Sequence, residues 1–251
     1  MDRSLTDDGF FTNDSALSTV LDRPAMTAAT TEPARELRRV RPRRGAPEDT
    51  RARLVAAAAE AFNRHGFHHV DSNRIAKEAG YAAGTFYKHF ADKRAVFLAA
   101  YEAWVTTEWR AIGDELAAQL PPRALAERIL TLVLEHHRRW RGLRASMAAL
   151  LVEDAEVRAF HRAQRRRQLD LLAALRREAP SAASDAAPAR TAEDDALLLF
   201  TLERTCDAIA NGETKDLGLD RERLLALLRE RVEQALLPAT SRRAGGPRGA
   251  R

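Results

Sequence analysis

Cysteine is nearly absent: Cys206 stands alone, which excludes an intrachain disulfide and any multi-cysteine metal site. No apolar run approaches the roughly 18–20 residues that a membrane span requires. The first thirty residues carry acids where a secretory signal would have a basic start and an apolar block. These absences point to a cytoplasmic protein without membrane partners. There is no glycine-rich phosphate loop, no nucleophile elbow and no His-Glu-x-x-His, so no catalytic role, cofactor or metal is expected. His65, His68 and His69 cluster in sequence, but without a cysteine or a converging acid they read as surface residues. No stretch alternates as a strand would, and no internal repeat is found.

What is present is helix and positive charge. The net charge of +5 is unevenly spread. Residues 1–33 carry two Arg against six Asp/Glu, a balance of −4, whereas residues 34–94 carry fourteen Arg/Lys against seven acids, a balance of +7. A basic segment of this kind is the electrostatic footprint of a phosphate-binding surface. At its centre lies the run Ile75-Ala76-Lys77-Glu78-Ala79-Gly80-Tyr81-Ala82-Ala83-Gly84-Thr85-Phe86-Tyr87-Lys88-His89-Phe90. It reads as a helix ending at Ala79, a turn opened by Gly80, and a second helix over 83–90. Phe86 and Phe90, four residues apart, form the apolar back of that second helix. Thr85, Tyr87, Lys88 and His89 form its polar front, over Ala83 and Gly84, which have little or no side chain. Such a front suits entry into a major groove.

Taken in order, residues 1–34 lack periodicity and read as disordered, and 35–44 form a basic arm of six arginines ending in Arg43 and Arg44. Pro47 opens a first helix with a stripe of Leu54, Ala58, Ala61 and Phe62, ended by Gly66. Asp71 and Asp92 are placed to cap the next helix and a long one from Lys93 to about Gln119. Pro121-Pro122 breaks the chain. Beyond it, amphipathic helices are expected over 123–140 (ended by Gly142), 143–151, 153–178, from Thr191 or Asp194 to about 210, and from 221 to 236. Residues 239–251 read as a disordered tail.

Phe62, Gly66-Phe67, the run 75–80, the run Gly84-Thr85-Phe86-Tyr87-Lys88-His89-Phe90 and Asp92-Lys93 resemble the N-terminal domain of TetR-type transcriptional regulators. The likeness covers roughly residues 47–100. It implies an all-α protein: a three-helix helix-turn-helix head, here within 35–91, followed by a helical ligand-binding and dimerisation domain over 92–238. It further implies a homodimeric repressor on a palindromic operator in double-stranded DNA, released by a small-molecule effector. By position it assigns DNA contact to Thr85, Tyr87, Lys88, His89 and Lys93. Ala82 departs from the pattern, since it stands where a Ser or Thr N-cap is usual.

In the body, Trp104, Trp109, His136, His137, Trp140, Met147 and Phe160 are candidates for an effector pocket. The same residue types at helical spacing also build cores, and that reading stays open. The stripes Leu198, Leu202, Ile209 and Leu224, Leu228, Val232 are candidates for a four-helix dimer interface, against burial within one chain. Two functional alternatives remain: a ligand-independent DNA-binding regulator whose body only dimerises, and a small-molecule-binding or catalytic helical protein that has lost operator recognition.

Overall fold

The computed structural model describes residues 47–178 and 191–236, all helices and their connections, with no strand among them. The arm with Arg43 and Arg44, residues 1–34 and the 239–251 tail lie outside the described residues. Ten helices are described: α1 (Pro47–His65), α2 (Ser72–Glu78), α3 (Ala83–Phe86), α4 (Lys93–Ala117), α5 (Pro122–Arg139), α6 (Arg141–Glu153), α7 (Ala155–Glu178), α8 (Ala192–Ala210), α9 (Glu213–Asp216) and α10 (Arg221–Leu236).

The ends of these helices follow from local chemistry. α1 begins with proline and two acids and ends with Arg64 and His65, complementing its dipole at both ends. Gly66, at φ +75°, then turns the chain as a side-chain-bearing residue rarely does. The Asp71 carboxylate accepts from the Arg74 amide at 2.7 Å and caps α2. The Asp92 carboxylate accepts from the Ala95 amide at 2.7 Å and caps α4. Thr191 and Asp194 form a capping box at the start of α8. Two sequence expectations are corrected. The second helix of the helix-turn-helix closes at Phe86 rather than Phe90, and residues 87–89 continue as turns. Gly142 ends no helix: α5 stops at Arg139, and Gly142 lies in the first turn of α6.

Two cores organise the chain. The first gathers Leu54, Ala58, Phe62, Ile75, Ala76, Phe86, Val96, Phe97 and Tyr101 with Leu143, Met147, Leu150 and Val157. Head helices α1–α4 are thus packed directly on α6 and α7. Phe62, Phe67 and Phe97 meet pairwise at ring separations of 5.2–5.5 Å. The second core joins α5, α8 and α10 through Leu125, Ile129, Val133, Cys206, Ile209 and Leu228. Asn63 ties the two parts together. Its amide nitrogen donates to the Arg139 carbonyl at 2.8 Å, and its oxygen accepts from the Gly142 and Leu143 amides at 3.0 and 3.2 Å, capping α6.

Candidate functional site

The reading face is built from the back forwards. Phe86 is fully buried and Phe90 nearly so, their rings 5.7 Å apart, and Ile75 and Ala76 of α2 are buried behind them. Gly80, at φ +84°, makes the sharp turn between α2 and α3. With its back fixed, the segment presents Tyr87, 59% exposed, with Lys88, Ala83 and Gly84 also exposed and Thr85 and His89 half-buried. Nothing lies within 4 Å of the position a Cβ on Gly84 would take, so this front is open. Lys93 is placed differently. Its ammonium donates to the Phe67 carbonyl at 3.0 Å and sits 4.2 Å from the Phe67 ring centre, so its first duty is to hold α4 against the α1–α2 connection.

The seven candidate pocket residues divide. Trp104, His136 and Trp140 line an open cleft of about 650 Å³ between α1 and α4, whose other walls are largely alanine with Val55. Met147 belongs to the first core, and Trp109 and Phe160 pack partly buried against it. His137 turns away from the cleft: neighbours on a helix diverge by about 100°, so His136 and His137 cannot share a cavity.

His137 leads instead to a buried polar centre that sequence reasoning missed. Its Nδ1 lies 2.9 Å from Asp207, which is also gripped by two Arg144 bonds at 2.6 and 2.7 Å. Arg165 pairs in the same two-pronged way with Glu203. Arg144 also lies 5.1 Å from the Trp104 ring centre. Burial alone would raise the Asp207 pKa, but the hydrogen bonds from His137 and Arg144 outweigh it and hold the carboxylate well below its usual range. An ionised carboxylate only accepts, so His137 carries its proton on Nδ1 and leaves Nε2 as a lone pair. Burial lowers the His137 pKa, against the opposing hydrogen bond to Asp207.

Glu108 completes the group. It is 4% exposed, and burial, reinforced by Glu203, pushes its pKa up to about 8 despite the opposing Arg144 and Arg165. Its Oε1 faces His137 Nε2 at 3.8 Å, too far for a hydrogen bond. Neither atom has a hydrogen-bond partner among the described residues, nor does Trp104 Nε1. The signal was present in the sequence: Glu108 falls between Val105 and Ile112 on the apolar stripe of α4, where an acid is out of place.

The expected dimer stripes need correction. Ile209, Leu228 and Val232 are 7%, 3% and 5% exposed within one chain. Leu202 packs partly buried against the second core, and Leu198 and Leu224 are half-buried. The residues left outward are Leu197 and Phe200 on α8, at 64% and 52%, and Leu227 on α10, at 51%.

Among the described residues no group of three or more His, Cys, Asp or Glu could hold a metal ion, and no helix is long and apolar enough to cross a membrane. The family model for bacterial regulatory proteins of the tetR family matches residues 54–100. The uncharacterized HTH-type transcriptional regulator YdgC of Bacillus subtilis (strain 168) is 41% identical over 49 residues, 20% of this chain and 25% of that protein. The chain therefore aligns with about a quarter of the length of the curated relatives it matches. Over a longer span the similarity is one of fold. A TetR-family transcriptional regulator from Rhodococcus sp. superposes with a TM-score of 0.61 at 15% identity, over 76% of this chain and 100% of that one. A transcriptional regulator from Saccharomonospora viridis, solved in complex with choline, gives 0.55 at 18% identity, over 74% and 95%. The matched head, carried on an all-helical body of the same fold, places this chain in the tetR family of bacterial regulatory proteins.

Proposed function

We propose that the protein is a DNA-binding transcriptional regulator, acting as a homodimeric repressor on a palindromic operator and released by a small-molecule effector. The observation that carries this reading is the front of α3 and its following turn. Thr85, Tyr87, Lys88 and His89 stand over the side-chain-free Gly84, with Phe86 and Phe90 buried behind them. Hydroxyl, ammonium and imidazole groups at such a surface serve phosphate contact and register, and the small Ala83 and Gly84 admit close approach to base edges. Lys93 contributes by orienting α4 on the head. The cleft between α1 and α4 supports the effector, since an occupant would touch the head and the long helix of the body together. That a fold neighbour holds choline accords with a ligand-responsive body. An effector shifts the equilibrium only by its preference for one of two states, here two separations of the heads of a dimer.

Selection of bound fragments from genomic DNA, followed by gel shifts with the selected duplex, tests the DNA half of this reading. Tyr87→Ala with Lys88→Ala is expected to abolish binding with helical content unchanged, and unaltered binding by that variant overturns the assignment. A thermal-shift screen, followed by operator release, tests the effector half. A body that no compound stabilises points to the ligand-independent alternative.

A further inference from the structure

The polar centre of the body is over-supplied with acceptors in one place. His137 Nε2 is a lone pair because its other nitrogen donates to Asp207, and 3.8 Å away Glu108 Oε1 offers a second acceptor. Both are buried and lack a hydrogen-bond partner among the described residues. The cations nearby are committed: Arg144 is doubly bonded to Asp207 and Arg165 to Glu203. Glu108 is thus the acid of this group without a cation of its own. An anionic guest would find both guanidiniums occupied, whereas a guest with several N–H donors and a positive charge would satisfy both open acceptors. The Trp104 indole stands beside this point. It lines the cleft, lies 6.3 Å from the His136 and His137 rings, and keeps its N–H buried and unpartnered. The cleft beyond it offers Ala52, Val55, Ala59 and Ala103 to an apolar body.

Resting on the effector reading above, we propose that the effector is a primary ammonium ion on an apolar body. Its N–H groups bridge Glu108 Oε1 and His137 Nε2 after the Trp104 indole swings aside, and its apolar part lies in the α1–α4 cleft. The groups facing Glu108 are Tyr101 from its own helix, His137 from α5, Arg144 from α6, Arg165 from α7, and Glu203 and Asp207 from α8. Because burial keeps Glu108 protonated up to about pH 8, an ammonium guest must displace that proton to solvent. Binding therefore tightens with pH, by about tenfold per unit while the acid is mostly protonated and the amine is still charged.

The test uses the full chain and three probes of one shape: 3-phenylpropylamine, 3-phenylpropan-1-ol and 3-phenylpropanoate. Calorimetry at pH 7 in two buffers of different ionisation heat should show that the amine binds at least tenfold more tightly than the others. It should also show release of close to one proton per amine bound, and about tenfold weaker binding at pH 6. Glu108→Gln, an isostere of the neutral acid, should erase both the amine preference and the proton release. Should that variant fail to fold, proton release by the unmodified protein decides alone. No amine binding, binding without proton release, or undiminished preference in a folded Glu108→Gln overturns the proposal. If the alcohol or the carboxylate binds more tightly and frees operator DNA, the effector reading stands and the ammonium assignment falls. If the amine binds as described but leaves operator affinity unchanged, the site stands and the effector reading falls.

Discussion

A methyl group on Gly142 would lie 2.0 Å from the Asn63 carbonyl oxygen, so α6 can approach α1 this closely only through glycine. Gly142→Ala would gain about 1 kcal/mol of helix propensity in an open helix. Here overpacking against rigid backbone, typically about 1–3 kcal/mol, sets the sign. We expect net destabilisation in urea titration. Asn63→Ala should cost about 1–2 kcal/mol by uncapping the first amides of α6. Glu108 makes a different prediction. Its pKa is about 8 in the fold, above the ordinary 4.5, so the stability tied to its bound proton is complete below pH 4.5 and is lost as pH rises through 8. His137 is shifted downward and Asp207 is held ionised, so neither titrates in the same direction between pH 6.5 and 8.5. The melting temperature should fall across that window, and Glu108→Gln should flatten the fall. A wild-type profile without that decline would contradict the burial of an unpaired acid.

At the scale of the element, caps and breaks were legible because their causes lie within four residues. Asp71, Asp92, Gly66 and Pro122 act on backbone groups beside them, and the expected boundaries hold to within a residue or two. The short α3 was not legible from the Phe86–Phe90 spacing, since that spacing is also met by one helical turn followed by further turns. Its backbone explains the brevity. Ala82 already has the extended N-cap conformation, φ −75° and ψ 154°, but no side-chain oxygen to bond the first amides. Ala82→Ser supplies one without moving the chain and should stabilise the head by about 1 kcal/mol, read as a raised urea midpoint at unchanged slope. A neutral or destabilising result would show that another group already satisfies those amides. Asn63, Gly142, Arg144 and Asp207 escaped the sequence for the opposite reason: each works through a partner more than sixty residues away, which no local pattern reports.

For the whole molecule, the decisive matter is which face of α8 and α10 meets a second chain. Leu197, Leu198, Leu199 and Phe200 are consecutive, so periodicity alone could not choose between faces of α8. Packing chooses. Leu199, Cys206 and Ile209 are buried within the protomer, while Leu197 and Phe200, with Leu227 on the neighbouring α10, stay exposed as large apolar groups on adjoining helices. Two such pairs, related by a two-fold axis, would cover one another in an isologous four-helix contact. The readout on DNA depends on it, because paired recognition segments must lie about 34–36 Å apart to enter successive major grooves. Phe200→Asp with Leu227→Asp alters only surface positions of the protomer. It should therefore give a folded chain of unchanged helical content that sediments as a monomer and binds a full operator at least a hundredfold more weakly. Leu228→Asp, at 3% exposure, should instead unfold the second core, which separates loss of interface from loss of fold. Should the Phe200/Leu227 variant still sediment as a dimer, the partner chain must dock elsewhere, and the half-buried Leu198 and Leu224 become the next faces to test.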